Sequence, residues 1–236
     1  RARLPGDIRV VELENDDAWV RDCGPTFLVD GKGGLRAVDW EFNAWGGLVD
    51  GLYFPWDKDD QIARKICEIE NVDTYRTEGF VLEGGSIHVD GEGTVLTTEM
   101  CLLSEGRNPD KSKEEIERML LDYLGCEKVL WIKDGIDPNE TNGHIDDVAC
   151  FIAPGEVACI WTEDENHPFY AQAQAAYRFL TNATDAKGRK LKVHKLCLTK
   201  EPCLLEGADT IDAVEGTIAR EDGEVSIASY MNFLIV

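Results

Sequence analysis

The residues best placed to do chemistry lie at positions 141–147, which read Thr-Asn-Gly-His-Ile-Asp-Asp. His144 precedes Asp146 by two residues, and the apolar run 148–152 follows directly. If Ile145 starts an extended segment, the imidazole and the carboxylate point to one face and Ile145 to the other. Such a pair can transfer protons and hold a cation. The alternative is a surface loop that happens to contain a histidine.

The composition limits the partners of this chain. Its 236 residues are 43% hydrophobic and 30% charged, which suits a globular protein of one or two domains. The 46 acidic and 24 basic residues give a formal net charge of −22. This charge disfavours nucleic acid and anionic membranes and tolerates cationic ligands. We therefore expect no nucleic-acid and no membrane partner, although solubility alone would explain the same charge.

The eight cysteines form no CxxC pair, and several lie in apolar runs. Free thiols in a reducing compartment fit this pattern better than disulfides or a zinc site, so a cytoplasmic location is expected. No apolar run approaches the roughly 20 residues that span a bilayer, and no signal peptide is visible. The chain opens on Arg-Ala-Arg-Leu-Pro without an initiator methionine, so an absent targeting segment would leave no trace.

The elements that must position these residues follow a repeating order. In the first unit, the pattern predicts strands at 8–13, 26–30, 35–40 and 72–75, a long loop at 41–55, and a helix within 57–70. The second unit has strands at 87–90, 94–98 and 129–132, with a helix from the capping box of Ser112 and Glu115 to about residue 124. The third has strands at 148–153, 157–161 and 192–196 and a helix at 168–180. Residues 201–224 read as a loop, and 225–236 begin a fourth round and end in its strand.

The repeat has a fixed spacing. The motif Val-Asp-Gly-x-Gly at Val29 recurs at Val89, 60 residues later, and the turn glycine Gly155 follows Gly91 by 64 residues. We therefore expect one domain over 1–236 with units near 8–76, 80–133 and 141–198 and a partial unit at 225–236. Modules of this kind pack around an axis or in a stack.

The polar candidates occupy matching places in the units, just ahead of each hairpin. Asp22 precedes Glu83 by 61 residues, and Glu83 precedes Asp146 by 63. Around an axis, equivalent positions point to one central site. Converging carboxylates suit a guanidinium, whose N–H groups match carboxylate oxygens, and the indoles of Trp19 and Trp45 lie near enough in sequence to pack on such a cation.

Structural roles compete with these assignments. Asp22 can pair with its neighbour Arg21, Glu83 can bridge backbone, and the tryptophans can serve packing alone. A single histidine without a second at an equivalent position argues against zinc. No loop has the spacing of a calcium site either, so neither a metal nor a cofactor is expected.

Several long motifs resemble one family. Residues 15–26, Asn-Asp-Asp-Ala-Trp-Val-Arg-Asp-Cys-Gly-Pro-Thr, are similar to a segment of agmatine deiminases, and so are residues 39–47, 82–93 and 142–146. These enzymes are peptidyl-arginine deiminase-like members of the guanidine-modifying (pentein) superfamily. The resemblance implies an α/β fold, a five-bladed α/β propeller of ββαβ-type repeats. About three full units and parts of others would be present here.

The resemblance also implies a reaction, the hydrolysis of agmatine to N-carbamoylputrescine and ammonia in putrescine and polyamine biosynthesis. Asp22 and Asp146 match the carboxylates that grip the guanidinium, and Glu83 matches the acidic residue that joins the substrate and histidine network. His144 matches the general acid and base, and Trp19 matches a wall of the substrate site. Trp45 is expected as a further substrate contact.

One departure from the family affects activity. The family's nucleophile is a cysteine in a Gly-Gly-x-Ile-His-Cys segment near the C-terminus, and this sequence has no such segment. Cys23 neighbours Asp22 but is expected to serve packing. We therefore expect a chain truncated at both ends and inactive by itself. The alternatives are a guanidinium-binding fragment without catalysis and a related arginine or peptidyl-arginine deiminase. Open strand edges also predict a homo-oligomer.

Overall fold

Three small sheets follow one another along the chain with the same internal arrangement. The computed structural model describes residues 8–208 and 221–233. Each of the three-stranded sheets contains an antiparallel pair of strands, and a third strand pairs in parallel with the second member of that pair. A helix lies between the second and third strands each time. The structure is thus a mixed α/β fold in which the order strand, strand, helix, strand occurs three times.

The elements have the following bounds. The first unit contains α1 Val20–Cys23, β1 Thr26–Val29, β2 Leu35–Glu41, α2 Gly47–Asp50, α3 Ile62–Glu70 and β3 Thr74–Val81. The second contains β4 His88–Val89, β5 Thr94–Thr98, α4 Glu99–Leu102, α5 Lys113–Leu124 and β6 Lys128–Ile132. The third contains β7 Ala149–Ala153, β8 Glu156–Trp161, α6 Tyr170–Asn182 and β9 Lys192–Cys197, and a two-stranded sheet of β10 Cys203–Leu204 and β11 Val225–Ser226 follows. Single 3-10 turns occur at Asp59–Gln61, Gly84–Ser86 and Ile145–Asp147.

The recurring Val-Asp-Gly-x-Gly motif is one hairpin loop used twice. The carboxylate of Asp30 accepts hydrogen bonds from the backbone N–H groups of Lys32 and Gly34 at 2.7 and 2.8 Å. Asp90 accepts from Glu92 and Thr94 at 2.8 Å each. An aspartate that satisfies two turn amides in this way fixes the loop locally, because its short side chain reaches the backbone two to four residues on.

The helix α5 has the termini that its sequence predicts. Ser112 accepts from the backbone of Glu115 at 3.2 Å, and the Glu115 carboxylate accepts from the backbone of Ser112 at 2.8 Å, so the capping box is confirmed. Gly125 follows with φ 64°, the left-handed conformation that ends a helix readily at glycine. Ile116 and Leu120 on the inner face of α5 are fully buried in the core of the second unit.

Two predictions about the first unit are wrong. Residues 8–13 form no strand, because Ile8, Val10 and Val11 are about half exposed and the segment pairs with no sheet in the described part of the chain. An alternating pattern stabilises a strand only where a partner covers one face. The expected loop at 41–55 contains the single-turn helix α2.

Three further predictions differ later in the chain. The helix predicted from Pro168 starts at Tyr170. The expected loop at 201–224 includes β10, which pairs antiparallel with β11. The strand expected over 225–236 is limited to Val225–Ser226 in the described range, and residues 1–7, 209–220 and 234–236 lie outside the described residues. No described helix combines the length and apolar character needed to cross a membrane.

Candidate active site

The segments that precede the first and third hairpins line one pocket of about 510 Å³, and the segment that precedes the second hairpin lies directly behind it. The first contributes α1, which carries Asp22, and the third contributes the turn after His144. The second contributes Glu83, which lies behind His144 and fully buried. The pocket is lined by Trp19, Arg21, Asp22, Trp45, Leu52, Asp137, Glu140, Thr141, His144, Asp146, Asp147, Ile227, Ser229 and Asn232.

The segment around His144 differs from the extended strand that its pattern predicts. Ile145–Asp147 forms a 3-10 turn, and the strand begins only at Ala149. His144 itself keeps an extended conformation, with φ −50° and ψ 146°. His144 and Asp146 nevertheless both border the pocket, whereas Ile145 is fully buried in the core. The expected separation of polar and apolar side chains is present, although a turn produces it.

Asp22 is held by two donors and not by its neighbour in sequence. Its Oδ2 accepts from the indole Nε1 of Trp45 at 3.0 Å, and its Oδ1 accepts from the backbone N–H of Gly85 at 2.7 Å. The expected alternative, an ion pair with Arg21, is wrong, because Arg21 pairs with Asp146. Trp45 lines the pocket but is only 2% exposed, and its indole N–H holds Asp22 in place.

Asp146 lies near Asp22 on the wall of the pocket, and both carboxylates lie within 4.0 Å of His144 Nδ1. It is 3.0 Å from the Nε of Arg21, and it accepts from the side-chain amide of Asn232 at 3.0 Å. Burial raises the pKa of Asp146, and the charge of Asp22 adds to this increase, while His144 opposes it. Trp19 differs from Trp45 in being 61% exposed, so its indole face is available at the pocket.

His144 is surrounded by carboxylates. Its Nδ1 lies 4.0 Å from Asp22 and 3.8 Å from Asp146, and its Nε2 lies 3.6 Å from Glu83. The ring is only 2% exposed. Burial lowers the pKa of His144, but the charge of Asp22 and the polar groups of Cys101 and Glu83 beside the ring outweigh it, so the pKa lies well above its ordinary value. The imidazole can therefore enter a reaction as an acid.

Glu83 is paired with a residue that sequence analysis did not identify as part of the site. The Nε of Arg107 lies 2.7 Å from Glu83 Oε1, and both side chains are fully buried. Burial raises the pKa of Glu83, but the Arg107 charge and His144 outweigh it and hold the pKa below its ordinary value. Arg107 also donates to the carbonyls of Trp45 and Thr141. One guanidinium thus ties together segments of all three units.

Cys101 is a second residue that sequence analysis missed. Its Sγ lies 4.0 Å from Glu83 Oε2. One ligand atom each from Glu83, Cys101 and His144 falls within 4.8 Å of the others, and all three residues are buried. The cysteine belongs to α4, which begins at the cap Thr98 directly after β5 and has no counterpart among the predicted elements. Its place in an apolar run favoured simple packing, so no sequence signal distinguished it.

Three further carboxylates line the pocket, together with Arg21 and with apolar residues such as Leu52 and Ile227. Asp137, Glu140 and Asp147 line it beside Asp22 and Asp146. Burial raises the pKa of Asp147 to about 7, and the charges of Asp146 and Asp137 contribute to the increase. Several carboxylates that share one partly enclosed space favour a ligand that brings positive charge. The pocket is therefore suited to a cation with more than one charged group.

Gly85 shows how tightly the acidic residues are packed. A Cβ at this residue would lie 2.5 Å from His144 Nδ1, 2.7 Å from Asp22 Oδ1 and 2.9 Å from Asp146 Oδ2. Real contacts of a Cβ are never this short, so only glycine fits where the three groups meet. The Glu-Gly-Gly sequence at residues 83–85 thus allows backbone to approach the catalytic candidates.

Known proteins with similar sequences and structures agree with this chemistry. Residues 1–236 match the family described as Porphyromonas-type peptidyl-arginine deiminase. The chain is 74% identical over 230 residues to a protein of Streptococcus mutans, and this covers 98% of the chain. It is 56% identical over 243 residues to the agmatine deiminase of Pseudomonas aeruginosa, which covers 100% of the chain.

A solved structure of an agmatine deiminase is also similar to this chain. The agmatine deiminase of Enterococcus faecalis superposes with a TM-score of 0.95 at 70% identity over 98% of the chain. The chain spans 62% of the Streptococcus protein, 65% of the Pseudomonas protein and 63% of the Enterococcus chain, less than two thirds of each.

Proposed function

Because the chain belongs to the Porphyromonas-type peptidyl-arginine deiminase family, we propose that it is part of an enzyme that hydrolyses the guanidinium group of agmatine. The observation that carries this proposal is that the carboxylates of Asp22 and Asp146 both lie within 4.0 Å of the same ring nitrogen of His144, Nδ1, at the pocket. Water adds to the guanidinium carbon, one C–N bond breaks, and ammonia and N-carbamoylputrescine leave. The reaction removes a C–N bond of an amidine-type group, so the enzyme is a hydrolase.

The carboxylates of the pocket explain how the substrate would be bound. A guanidinium presents five N–H donors in a plane, and carboxylate oxygens accept them in pairs. Asp22 is fixed by Trp45 and Gly85, and Asp146 is fixed by Asn232. Prepositioned acceptors orient the guanidinium carbon for attack without a cost of reorganisation at that step. The exposed indole of Trp19 provides an apolar wall for the alkyl chain.

Proton transfer is assigned to His144. In its protonated form it gives a proton to the nitrogen that leaves as ammonia, and the neutral imidazole then takes a proton from the attacking water. Glu83 stabilises the positive charge on the ring through Nε2, and Arg107 keeps Glu83 ionised. The family resemblance assigns the covalent attack to a cysteine motif with no counterpart in this sequence, so these binding and proton-transfer roles are what we propose for this chain.

The acidic outer wall supports agmatine over arginine. Agmatine carries an ammonium at the end opposite its guanidinium, whereas arginine carries an additional carboxylate there. Asp137, Glu140 and Asp147 would attract the ammonium and repel the carboxylate. On this basis we place the reaction in the formation of putrescine-type diamines. The convergence of three equivalent segments at and directly behind one pocket also supports a pentein-type propeller arrangement of the units.

Binding by this chain tests the proposal directly. Isothermal titration calorimetry should show that agmatine binds more tightly than butylguanidine, and butylguanidine more tightly than arginine. Asp22→Asn removes one charged acceptor and should weaken agmatine binding by about 10- to 100-fold, the range expected for a hydrogen bond to a charged group. Asp110→Asn, an exposed carboxylate outside the pocket, is the matched control.

The outcomes separate the alternatives. Tight agmatine binding that is lost in Asp22→Asn supports the proposed binding of the guanidinium by carboxylates. Ammonia release from agmatine measures catalysis separately. Binding of arginine or an arginyl peptide in preference to agmatine would replace the proposed substrate by that of a related deiminase. A folded protein that binds none of the three compounds would refute the proposal. Light scattering of the same samples tests the expected homo-oligomer.

A further inference from the structure

We infer that Glu83, Cys101 and His144 form a site for a thiophilic divalent cation such as Zn²⁺, behind the proposed substrate pocket. The three side chains come from three separate segments, and none is assigned to metal binding by the proposed function. The claim of binding stands on these three residues alone. The claim that the bound metal blocks catalysis rests on the proposed role of His144.

The donor set matches a zinc ion in both chemistry and spacing. Thiolate, imidazole and carboxylate are the three ligand types that zinc takes in proteins. Glu83 Oε2 lies 4.0 Å from Cys101 Sγ and 3.6 Å from His144 Nε2. Ligands of a tetrahedral ion with bonds of about 2.0 to 2.3 Å are separated by about 3.3 to 3.8 Å. Only small side-chain movements would therefore bring the three atoms into one coordination sphere.

A second observation concerns the ring nitrogen of His144. Its Nε2 is buried and faces Glu83 Oε2 at 3.6 Å, which is longer than a hydrogen bond. Buried polar atoms normally have partners. The ring nitrogen is aimed at the space between the carboxylate and the thiol, where a cation would satisfy it.

The charges around Glu83, Cys101 and His144 are compatible with the binding of a divalent cation. Arg107 pairs with the other oxygen of Glu83, so Oε2 remains available. Binding would release the proton of the Cys101 thiol and the Nε2 proton of His144, while the electron pairs on sulfur and nitrogen bind the metal. Asp22 and Asp146, close to Nδ1 of the same ring, would offset much of the added positive charge. A notable consequence is that affinity should rise with pH, since protons compete for the same atoms.

A metal in this site would act as an inhibitor of the proposed reaction. With the metal on His144 Nε2 the ring could no longer exist as an imidazolium, so the proton left on Nδ1 would be a much weaker acid toward the departing ammonia. The metal would also repel the guanidinium from the pocket beyond the ring. Metal and agmatine should therefore exclude one another, and each should weaken binding of the other.

Cobalt provides the direct test. Co²⁺ added to the full chain under reducing conditions should produce the thiolate-to-cobalt charge-transfer band and the visible bands of tetrahedral coordination. Zn²⁺ should displace the cobalt and abolish these bands. Cys101→Ser should abolish the charge-transfer band, and His144→Gln should weaken metal binding at least tenfold. Cys197→Ser and His194→Gln change an exposed cysteine and a surface histidine outside the cluster, and they should leave the spectrum unchanged.

Several results would overturn the inference. Absence of a charge-transfer band in the folded chain would do so, and so would a band that survives Cys101→Ser or disappears in Cys197→Ser. If Cys101→Ser fails to fold, the wild-type spectrum together with Glu83→Gln decides the question, because loss of the carboxylate ligand should weaken binding while the thiolate band remains at saturating cobalt. Failure of agmatine to bind would refute the substrate proposal and leave this spectrum unaffected.

Discussion

At the scale of single residues, Gly85 is where the site is most sensitive to a small change. In Gly85→Ala the new methyl group would overlap His144, Asp22 and Asp146. These groups must then separate, and we expect agmatine affinity to fall at least about tenfold, or roughly 1.4 kcal/mol. Calorimetry on the folded variant measures this loss.

Gly91→Ala is the matched control for that substitution. Gly91 has φ 74° and no atom within 4 Å of an added Cβ. The variant should lose about 1–2 kcal/mol of stability through backbone strain, with agmatine binding retained. Equal binding by Gly85→Ala and the wild-type protein would show that the acidic cluster is looser than the structure indicates.

Asp147 provides a prediction about pH. Its pKa is raised from the ordinary 3.8 to about 7, chiefly by burial. Between these values the folded chain holds a proton that the unfolded chain has lost, so the contribution of Asp147 to the free energy of unfolding decreases as pH rises from about 4 to about 7. Asp147→Asn removes this contribution. The variant should gain stability relative to the wild-type protein at pH 8, on the order of 1–3 kcal/mol, and less at pH 5.

Urea unfolding at the two pH values measures the effect of Asp147→Asn. Asp110→Asn, at an exposed carboxylate, should follow the wild-type protein at both. The comparison with the wild-type protein is needed because His144 contributes in the same direction. Its raised pKa gives stability at low pH that is lost as pH increases. An unchanged difference between pH 5 and pH 8 would contradict the assignment to Asp147.

The sequence identified the acidic residues and the histidine whose positions recur with the repeat, and it missed several partners whose positions do not. Asp22, Glu83, His144 and Asp146 were found because equivalent positions in a repeat lie close together. Cys101, Arg107 and Asn232 reach the same place from α4, from the segment after it and from beyond β11, where no spacing relates them to the other units. Partners of this kind depend on tertiary packing, and a single sequence contains no periodic signal for them.

At the scale of elements, Arg107 connects the three site segments. In Arg107→Met the buried carboxylate of Glu83 would lose its counter-ion, which typically costs about 3–5 kcal/mol. Adding Glu83→Gln to Arg107→Met should recover part of this loss, because no uncompensated charge then remains. Denaturant unfolding of the single and double variants provides the measurement.

A surface ion pair is the control for this cycle. Arg64 and Glu68 are 61% and 66% exposed, and Arg64→Met should change stability by less than about 0.5 kcal/mol. If Arg107→Met lowers the free energy of unfolding by no more than Arg64→Met does, the guanidinium of Arg107 does not hold the three segments together. A double variant less stable than Arg107→Met would also contradict the electrostatic explanation.

Element prediction succeeded where local chemistry determines the backbone. The aspartate loops at Asp30 and Asp90 and the capping box at Ser112 are satisfied by bonds within five residues, so the sequence specifies them. Residues 8–13 have an equally good alternating pattern, but no strand among the described residues lies beside them. The pairing of β10 with β11 joins segments about 20 residues apart through two positions each, which is too short for a periodic pattern to reveal.

At the scale of the whole molecule, the net charge and the pocket act in the same direction. A chain with net charge −22 creates a field that attracts cations, and the acidic pocket focuses it. Agmatine carries two positive charges and butylguanidine one, and both contain the same guanidinium group. A difference between their affinities therefore reports the electrostatic attraction of the second charge, and not the guanidinium contact.

Salt should therefore weaken the binding of agmatine more than the binding of butylguanidine. The Debye length decreases from about 30 Å at 0.01 M to about 10 Å at 0.1 M ionic strength. We expect the agmatine dissociation constant to increase several-fold over this range, with about half that change on a logarithmic scale for butylguanidine. Calorimetry at fixed pH in sodium chloride measures both. The same salt response for the two ligands would place the second charge of agmatine outside the acidic wall, and Asp137 and Asp147 would then have no part in choosing the substrate.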